Sequence, residues 1–274
     1  MTVALVGAGP GDPGLITVRG LELLRRCDAV VYDRLVAPEL VDEIPLDALR
    51  IPRDGLGQEQ IDDLLVALGR EGLDVVRLKG GDPYVFGRGG EEALALARAG
   101  IPFEVVPGIS SIAAVPAAVG IPVTHRGVAD RVTIATAHAA DGSPPDYASL
   151  AGAGGTLVLF MGLGRLRELA DGLIRAGMAA GTPAAVVSRG TRPDQELVTA
   201  VLDQIADVAG DLPGPALVVI GDVVELSGRL GLGGRWAGLE DAPNAAHGLP
   251  DPMLVLDERE ADEALAARAE ARSR

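Results

Sequence analysis

Short apolar runs rich in β-branched residues alternate along the chain with longer stretches whose apolar positions recur at helical spacing. Residues 2–6, 29–32, 74–78 and 103–106 read as strands, and residues 15–27, 58–70, 91–99 and 110–119 as helices. Ile61, Leu64, Leu65 and Leu68 form one apolar face of the second helix. Gly100, with Pro102 beyond it, ends the third. Strand–helix alternation of this kind predicts an α/β fold with a mainly parallel sheet. The pattern breaks at Gly120-Ile-Pro-Val-Thr-His-Arg-Gly127, which reads as a domain junction. A second α/β unit follows, with strands near 131–136, 156–160, 184–188, 195–199 and 215–220 and helices near 163–176 and 201–209. The alternating character of 194–200 predicts a mixed second sheet. The expected organisation is therefore an N-terminal domain at 1–120, a C-terminal domain at 121–228, and a Gly-rich linker with a charged tail at 229–274.

Composition narrows the function. Hydrophobic residues are 48% and charged residues 23% of 274, the profile of a globular chain able to bury a core. Aromatics are 3%, so that core is aliphatic. Lys+Arg 24 against Asp+Glu 39 gives a net charge of −15, which argues against general nucleic-acid binding. The single cysteine, Cys27, excludes a disulfide framework and reads as a buried thiol. His125, His138 and His247 lack ligand spacing, so no metal site is expected. The N-terminus enters a strand without a signal-peptide pattern, and no apolar run approaches a membrane span of about 20 residues. A cytoplasmic location is expected. Lys79 is the only lysine.

Three glycine-rich loops follow predicted strands and precede helices, the place where parallel sheets bind ligands. The first is Val6-Gly-Ala-Gly-Pro-Gly-Asp-Pro-Gly14. Gly7 and Gly9 fit a dinucleotide fingerprint, but Asp12 holds its third glycine position and two prolines remove N–H donors. An NAD-dependent oxidoreductase is disfavoured accordingly. The second is Arg77-Leu-Lys-Gly-Gly-Asp-Pro-Tyr-Val-Phe-Gly-Arg-Gly-Gly-Glu-Glu92, which contains the sole lysine. The third is Val106-Pro-Gly-Ile-Ser-Ser111, where Ser110 or Ser111 can cap a helix.

These motifs, with Tyr32-Asp-Arg-Leu-Val36 and the junction motif, resemble the uroporphyrinogen-III C-methyltransferases of the tetrapyrrole methyltransferase family across residues 2–228. The resemblance implies two α/β domains with the active site in the cleft between them, and a homodimer. It implies S-adenosyl-L-methionine as cofactor, S-adenosyl-L-homocysteine as its product, and two methyl transfers to uroporphyrinogen III, giving precorrin-2 for sirohaem or cobalamin. Cofactor contacts carry over to Pro10, Gly80, Gly81, Asp82, Val85, Ser110, Ser111, Met161, Gly190 and Ala216. Asp33 matches the proton acceptor. The family's proton-donor lysine falls nearest Arg53, in a loop several residues shorter, and arginine is a poor acid. Substrate carboxylates call for cations, with Arg19, Arg34, Arg88 and Arg126 as candidates. Lys79 is expected to join them around the loops, and His125 either binds a carboxylate or orders the junction. Another precorrin methyltransferase, or a divergent paralogue that binds cofactor with altered or lost activity, remains the alternative.

Overall fold

In the computed structural model, which describes residues 2–138 and 142–231, two five-stranded sheets are each sandwiched between helices. The first sheet holds β1 (Val3–Gly7), β2 (Ala29–Tyr32), β3 (Leu49–Pro52), β4 (Val75–Lys79) and β5 (Phe103–Val106) in the order β3-β2-β4-β1-β5. Every pairing in it is parallel. Strands β1 and β4 are buried along their whole length, which explains why β1 reads as an unbroken apolar run rather than an alternation, whereas β4 carries the buried charges of Arg77 and Lys79. Helices α1 (Val18–Leu24) and α2 (Pro38–Asp42) cover one face with Leu24, Leu40, Val30 and Leu78. Helices α3 (Gln58–Arg70) and α4 (Gly89–Arg98) cover the other with Ile61, Leu65 and Leu96.

The second sheet holds β6 (Val132–Thr136), β7 (Thr156–Phe160), β8 (Pro183–Ser188), β9 (Glu196–Val201) and β10 (Ala216–Ile220) in the order β6-β7-β10-β8-β9. Only β6 and β7 run parallel; the other pairings are antiparallel, so the sheet is mixed as expected. Helices α6 (Tyr147–Gly152), α7 (Leu166–Arg175) and α8 (Ile205–Ala209) pack one face. Against the other lie α5 (Ser111–Ala118), whose Val115 joins Val187 and Leu217 in one core, and the 3-10 turn Asp222–Val224, whose Val223 and Val224 join the same core and which leads into α9 (Glu225–Leu230). Although α5 follows the last strand of the first sheet, its apolar side is buried on the second, which ties the two halves together.

Several boundaries differ from expectation. The helix expected over 15–27 is a 3-10 turn at Pro13–Leu15 followed by α1, because Thr17 caps the Gly20 N–H and restarts the helix there. The helix expected over 201–209 shortens to α8 because β9 runs on through Val201 against Pro183. The tail expected beyond 228 lies outside the described residues from position 232 onward, as does His247.

Candidate active site

The loops after β1, β2, β4 and β5 meet at the carboxyl ends of the first sheet. Gly9 and Gly81 form an antiparallel bridge, with the Gly81 N–H donating to the Gly9 carbonyl at 2.7 Å. The Asp82 carboxylate clasps the second loop to the third: Oδ1 accepts from the Tyr84 N–H at 2.8 Å and Oδ2 from the Gly108 N–H at 3.0 Å. Gly80 lies against Leu35, a Cβ there reaching 3.4 Å from the leucine Cβ. Ser110 caps α5 by accepting from the Ile112 N–H, and Ser111 opens the helix. Val85 is half-buried on the turn that the Asp82 carbonyl closes, and Pro10 is half-buried in the first loop.

The second half of the chain reaches over these loops. Phe86 packs against Phe160 with ring centroids 4.9 Å apart and the ring planes tilted by 49°. The Asp12 N–H donates to Thr191 Oγ1 at 3.1 Å, and Arg192 Nη2 donates to the Leu35 carbonyl at 2.8 Å. Gly190 is buried against Val115, where a Cβ would collide with the valine methyls. Ala216 opens β10 opposite Ser188. The non-glycine residues with left-handed φ among the described ones are Phe86, Arg88, Met161, Arg189 and Thr191. Phe86 and Arg88 lie in the loop after β4, while Met161 follows β7 and Arg189 and Thr191 follow β8; Met161, at φ 56, is 51% exposed. Strained backbone collects where a ligand site needs fixed geometry.

Beneath the loops lies an ion network. Strand β4 sends Arg77 and Lys79, 0% and 1% exposed, to the face covered by α3 and α4. There Glu92 Oε1 accepts from Arg77 Nε at 2.9 Å and from Lys79 Nζ at 2.8 Å. Burial and the Arg77 charge push the Lys79 ammonium below its ordinary value, an effect Glu92 partly offsets. Arg77 then reaches past the Val31 carbonyl to Asp33, donating from Nη2 to Oδ1 at 2.5 Å. Arg53 Nη1 stands 3.8 Å from the same oxygen. Asp33 Oδ2 makes no hydrogen bond to any described residue.

The sequence candidates thus separate. Asp33 and Arg53 come together, as do Pro10, Gly80, Gly81, Asp82, Ser110 and Ser111. Lys79 does not stand around the loops: its strand turns it into the core, where Glu92 takes its charge. Arg34 and Arg126 are exposed. Arg88 is exposed and paired with Glu91 at 2.7 Å, which raises the guanidinium above and lowers the carboxyl below their ordinary values. Arg19 on α1 is engaged by Glu104 of β5 at 3.1 Å. His125 orders the junction, exchanging backbone hydrogen bonds with Ala129 and holding the Arg126 carbonyl at 2.9 Å. Arg77 and Glu92 are not among the site residues the sequence motifs single out. Two cations on a central strand where apolar residues belong were the available signal.

No group of three or more potential metal-binding side chains gathers among the described residues, and no helix among them is long and apolar enough to cross a membrane. Gly80 and Gly81 offer bare backbone at these strand ends, and Met161 follows Phe160, whose ring meets Phe86 of the second loop. The Asp33 carboxylate is fixed by Arg77 at the end of β2.

A two-sheet α/β protein whose glycine-rich loops converge at the carboxyl ends of a parallel sheet is the class this defines. More narrowly, residues 2–206 match the tetrapyrrole (corrin/porphyrin) methylases, and the chain belongs to that family. Siroheme synthase 1 of Yersinia enterocolitica is 48% identical over 247 residues, covering 88% of this chain and 52% of that protein. Siroheme synthase of Sodalis glossinidius is 49% identical over 231 residues, covering 82% and 49%. The chain spans about half the length of these curated relatives. A crystal structure of uroporphyrin-III C-methyltransferase from Thermus thermophilus, complexed with S-adenyl homocysteine, matches with TM-score 0.74 and 40% identity, over 82% of this chain and 100% of that one. A cobalt precorrin-4 methyltransferase matches with TM-score 0.76 and 30% identity, over 81% and 95%.

Proposed function

We propose that this chain is an S-adenosyl-L-methionine-dependent methyltransferase that adds two methyl groups to uroporphyrinogen III, giving precorrin-2 on the way to sirohaem or cobalamin. The observation that carries the reading is the convergence of the four strand-end loops, in a chain alignable to the whole of the Thermus enzyme. The residues present fit the cofactor: bare backbone at Gly80 and Gly81 suits its amino-acid end, and the exposed thioether of Met161 suits an apolar or sulfur-bearing part. Pro10, Asp82, Val85, Ser110, Ser111, Gly190 and Ala216 complete the proposed cofactor walls. When bound, that cofactor supplies an electrophilic sulfonium methyl.

The chain's own task is to position reactants and to take up a proton. Methylation of an electron-rich pyrrole carbon must be balanced by proton loss. Asp33 Oδ2, the oxygen not held by Arg77, accepts that proton. Arg53 steadies the carboxylate electrostatically without donating a proton of its own. Arg34, Arg88 and Arg126 meet substrate carboxylates as guanidinium forks, and Arg19 does so only by leaving Glu104. The proposed division places the base in residues 1–120 and part of the cofactor wall in 121–228, in a cytoplasmic homodimer.

Incubation with S-adenosyl-L-methionine and uroporphyrinogen III, followed by product mass, tests the reading. Addition of two methyl groups is expected. No methylation of uroporphyrinogen III, with turnover of a later precorrin instead, overturns it. Asp33→Ala should lower kcat by roughly 10²–10⁴ while leaving S-adenosyl-L-homocysteine affinity unchanged.

A further inference from the structure

We infer that Arg77 is the positioning residue for the Asp33 carboxylate, held in place from behind by Glu92. The inference rests on the reading of Asp33 as the base and extends it to a part of the molecule that touches no ligand.

Three observations lead there. First, Arg77 occupies the middle of the central strand of the first sheet, paired with Leu5 on one side and Val31 on the other, and is fully buried. Strand alternation places its side chain on the same face as Val75, where an apolar residue would pack against Ile61 and Leu96. Second, its guanidinium is held at every corner. Nε donates to Glu92 at 2.9 Å, Nη1 to the carbonyls of Val31 and Leu78 at 3.3 and 3.2 Å, and Nη2 to Asp33 at 2.5 Å. Such a group has no freedom to follow Asp33; Asp33 must follow it. Third, Arg53 cannot do this work. It is partly exposed, and its nearest nitrogen is 3.8 Å from the carboxylate.

Stability does not explain the network. Glu92 Oε1 serves both Arg77 and Lys79, while its Oε2 is buried with no hydrogen-bond partner. Buried ion pairs of this kind are often replaceable by apolar side chains without loss of stability. What an apolar strand could not supply is a rigid fork reaching across β2 to the turn that carries Asp33. That turn is itself registered on β4, the Asp33 N–H donating to the Leu78 carbonyl at 3.1 Å. Backbone and side chain of Asp33 are thus both fixed by the same two residues of one buried strand.

The test compares Arg77→Met, Arg77→Lys, Asp33→Ala and the Asp33→Ala/Arg77→Met pair in the full chain. Readouts are kcat and KM with uroporphyrinogen III, S-adenosyl-L-homocysteine affinity by calorimetry, and thermal melting. Arg77→Met leaves Lys79 and Glu92 as a balanced pair and Asp33 beside Arg53, so it should fold. Its kcat should fall roughly 10–100-fold through misplacement of the base, with KM and S-adenosyl-L-homocysteine affinity unchanged. The double variant should lose no more than Asp33→Ala alone, since Arg77 acts only through Asp33. Arg77→Lys keeps the charge but cannot hold Glu92 and Asp33 together, so it should lose kcat as well, and it decides the matter if Arg77→Met does not fold. If Asp33→Ala is inactive while the folded Arg77 variants keep wild-type kcat, this inference alone falls. Full multiplication of the two losses also overturns it. If Asp33→Ala itself keeps wild-type kcat, the base reading fails and takes the inference with it.

Discussion

Gly108 packs backbone to backbone on Gly7: a Cβ added at Gly108 would lie 2.7 Å from the Gly7 Cα and overlap the Gly81 carbonyl oxygen. Three glycines from three loops therefore meet at one point. Glycines in strand-end loops are commonly read as room for a ligand, yet Gly7 and Gly108 are consumed by contact between the loops, and it is at Gly80 and Gly81 that the Cβ position is nearly open.

Gly108→Ala should therefore destabilise the fold by at least about 1–3 kcal/mol, because the obstacles are main-chain atoms that cannot turn aside. S-adenosyl-L-homocysteine affinity should fall with it. Gly90→Ala, on α4 with nothing within 4 Å of the new Cβ, should instead stabilise by roughly 0.5–1 kcal/mol. Urea denaturation of the two variants measures the contrast, and an unaffected Gly108→Ala would show that the loops are not packed in this way.

Met161 pairs a left-handed φ of 56° with an exposed side chain, so it gives the fold little in return for its strain. Relief of that strain in Met161→Gly is worth about 1–2 kcal/mol. The extra unfolded-chain entropy of glycine takes back roughly 0.5–1 kcal/mol. A small net gain in stability is expected, together with weaker S-adenosyl-L-homocysteine binding if the thioether lines the cofactor site. Thermal melting and calorimetry on the same sample read both. A variant that loses stability and keeps affinity contradicts the assignment of Met161 to the cleft.

Much of this architecture is legible in the chain itself. Buried parallel strands such as β1 and β2 announce themselves as apolar runs, and α3 shows its face at Ile61 and Leu65. What escapes is short or exposed. Edge strand β3, with Leu49 53% exposed and Pro52 at its end, has no periodic signature. Five- and six-residue helices such as α2, α6 and α9 are too brief for a 3.6-residue period to emerge. The site motifs are readable because they are contiguous. The Arg77–Asp33 bond is not, since it joins residues 44 positions apart through the register of β2 on β4. Lys79 shows the same limit: its rarity marks it in the sequence, but only the pleat of β4 decides that it points into the core.

Cys27 gives a clean test of the first core. Its thiol is buried, donates to the Leu24 carbonyl at 3.1 Å, and is pushed from 9.0 to about 11, mainly by burial. The native state therefore holds the thiol proton more tightly than the unfolded chain does. The stabilisation this gives is complete below pH 9.0 and is lost as pH rises to about 11. A thiol-reactive disulfide reagent should find no reactive group in the native protein at neutral pH and one equivalent in denaturant, because the chain has a single cysteine. Rapid labelling of the native protein would place Cys27 at the surface.

Lys79 should act on stability in the opposite sense. Burial and the Arg77 charge lower its proton affinity below the ordinary 10.5, despite Glu92. Between the lowered value and 10.5 the unfolded chain binds more protons than the native one, so stability rises with pH across that window and falls as pH drops through it. Lys79→Met removes the group and leaves Arg77 facing Glu92 and Asp33, two anions already in contact with it. Urea denaturation of wild type and Lys79→Met from pH 7 to 10.5 should give a difference that changes with pH, in the direction of wild type gaining on the variant as pH rises. The Cys27 effect runs the other way above pH 9.0, but both proteins carry it and it cancels in the difference. A difference that stays flat would mean that Lys79 keeps its ordinary proton affinity, and that Glu92 compensates fully for burial and for the neighbouring guanidinium.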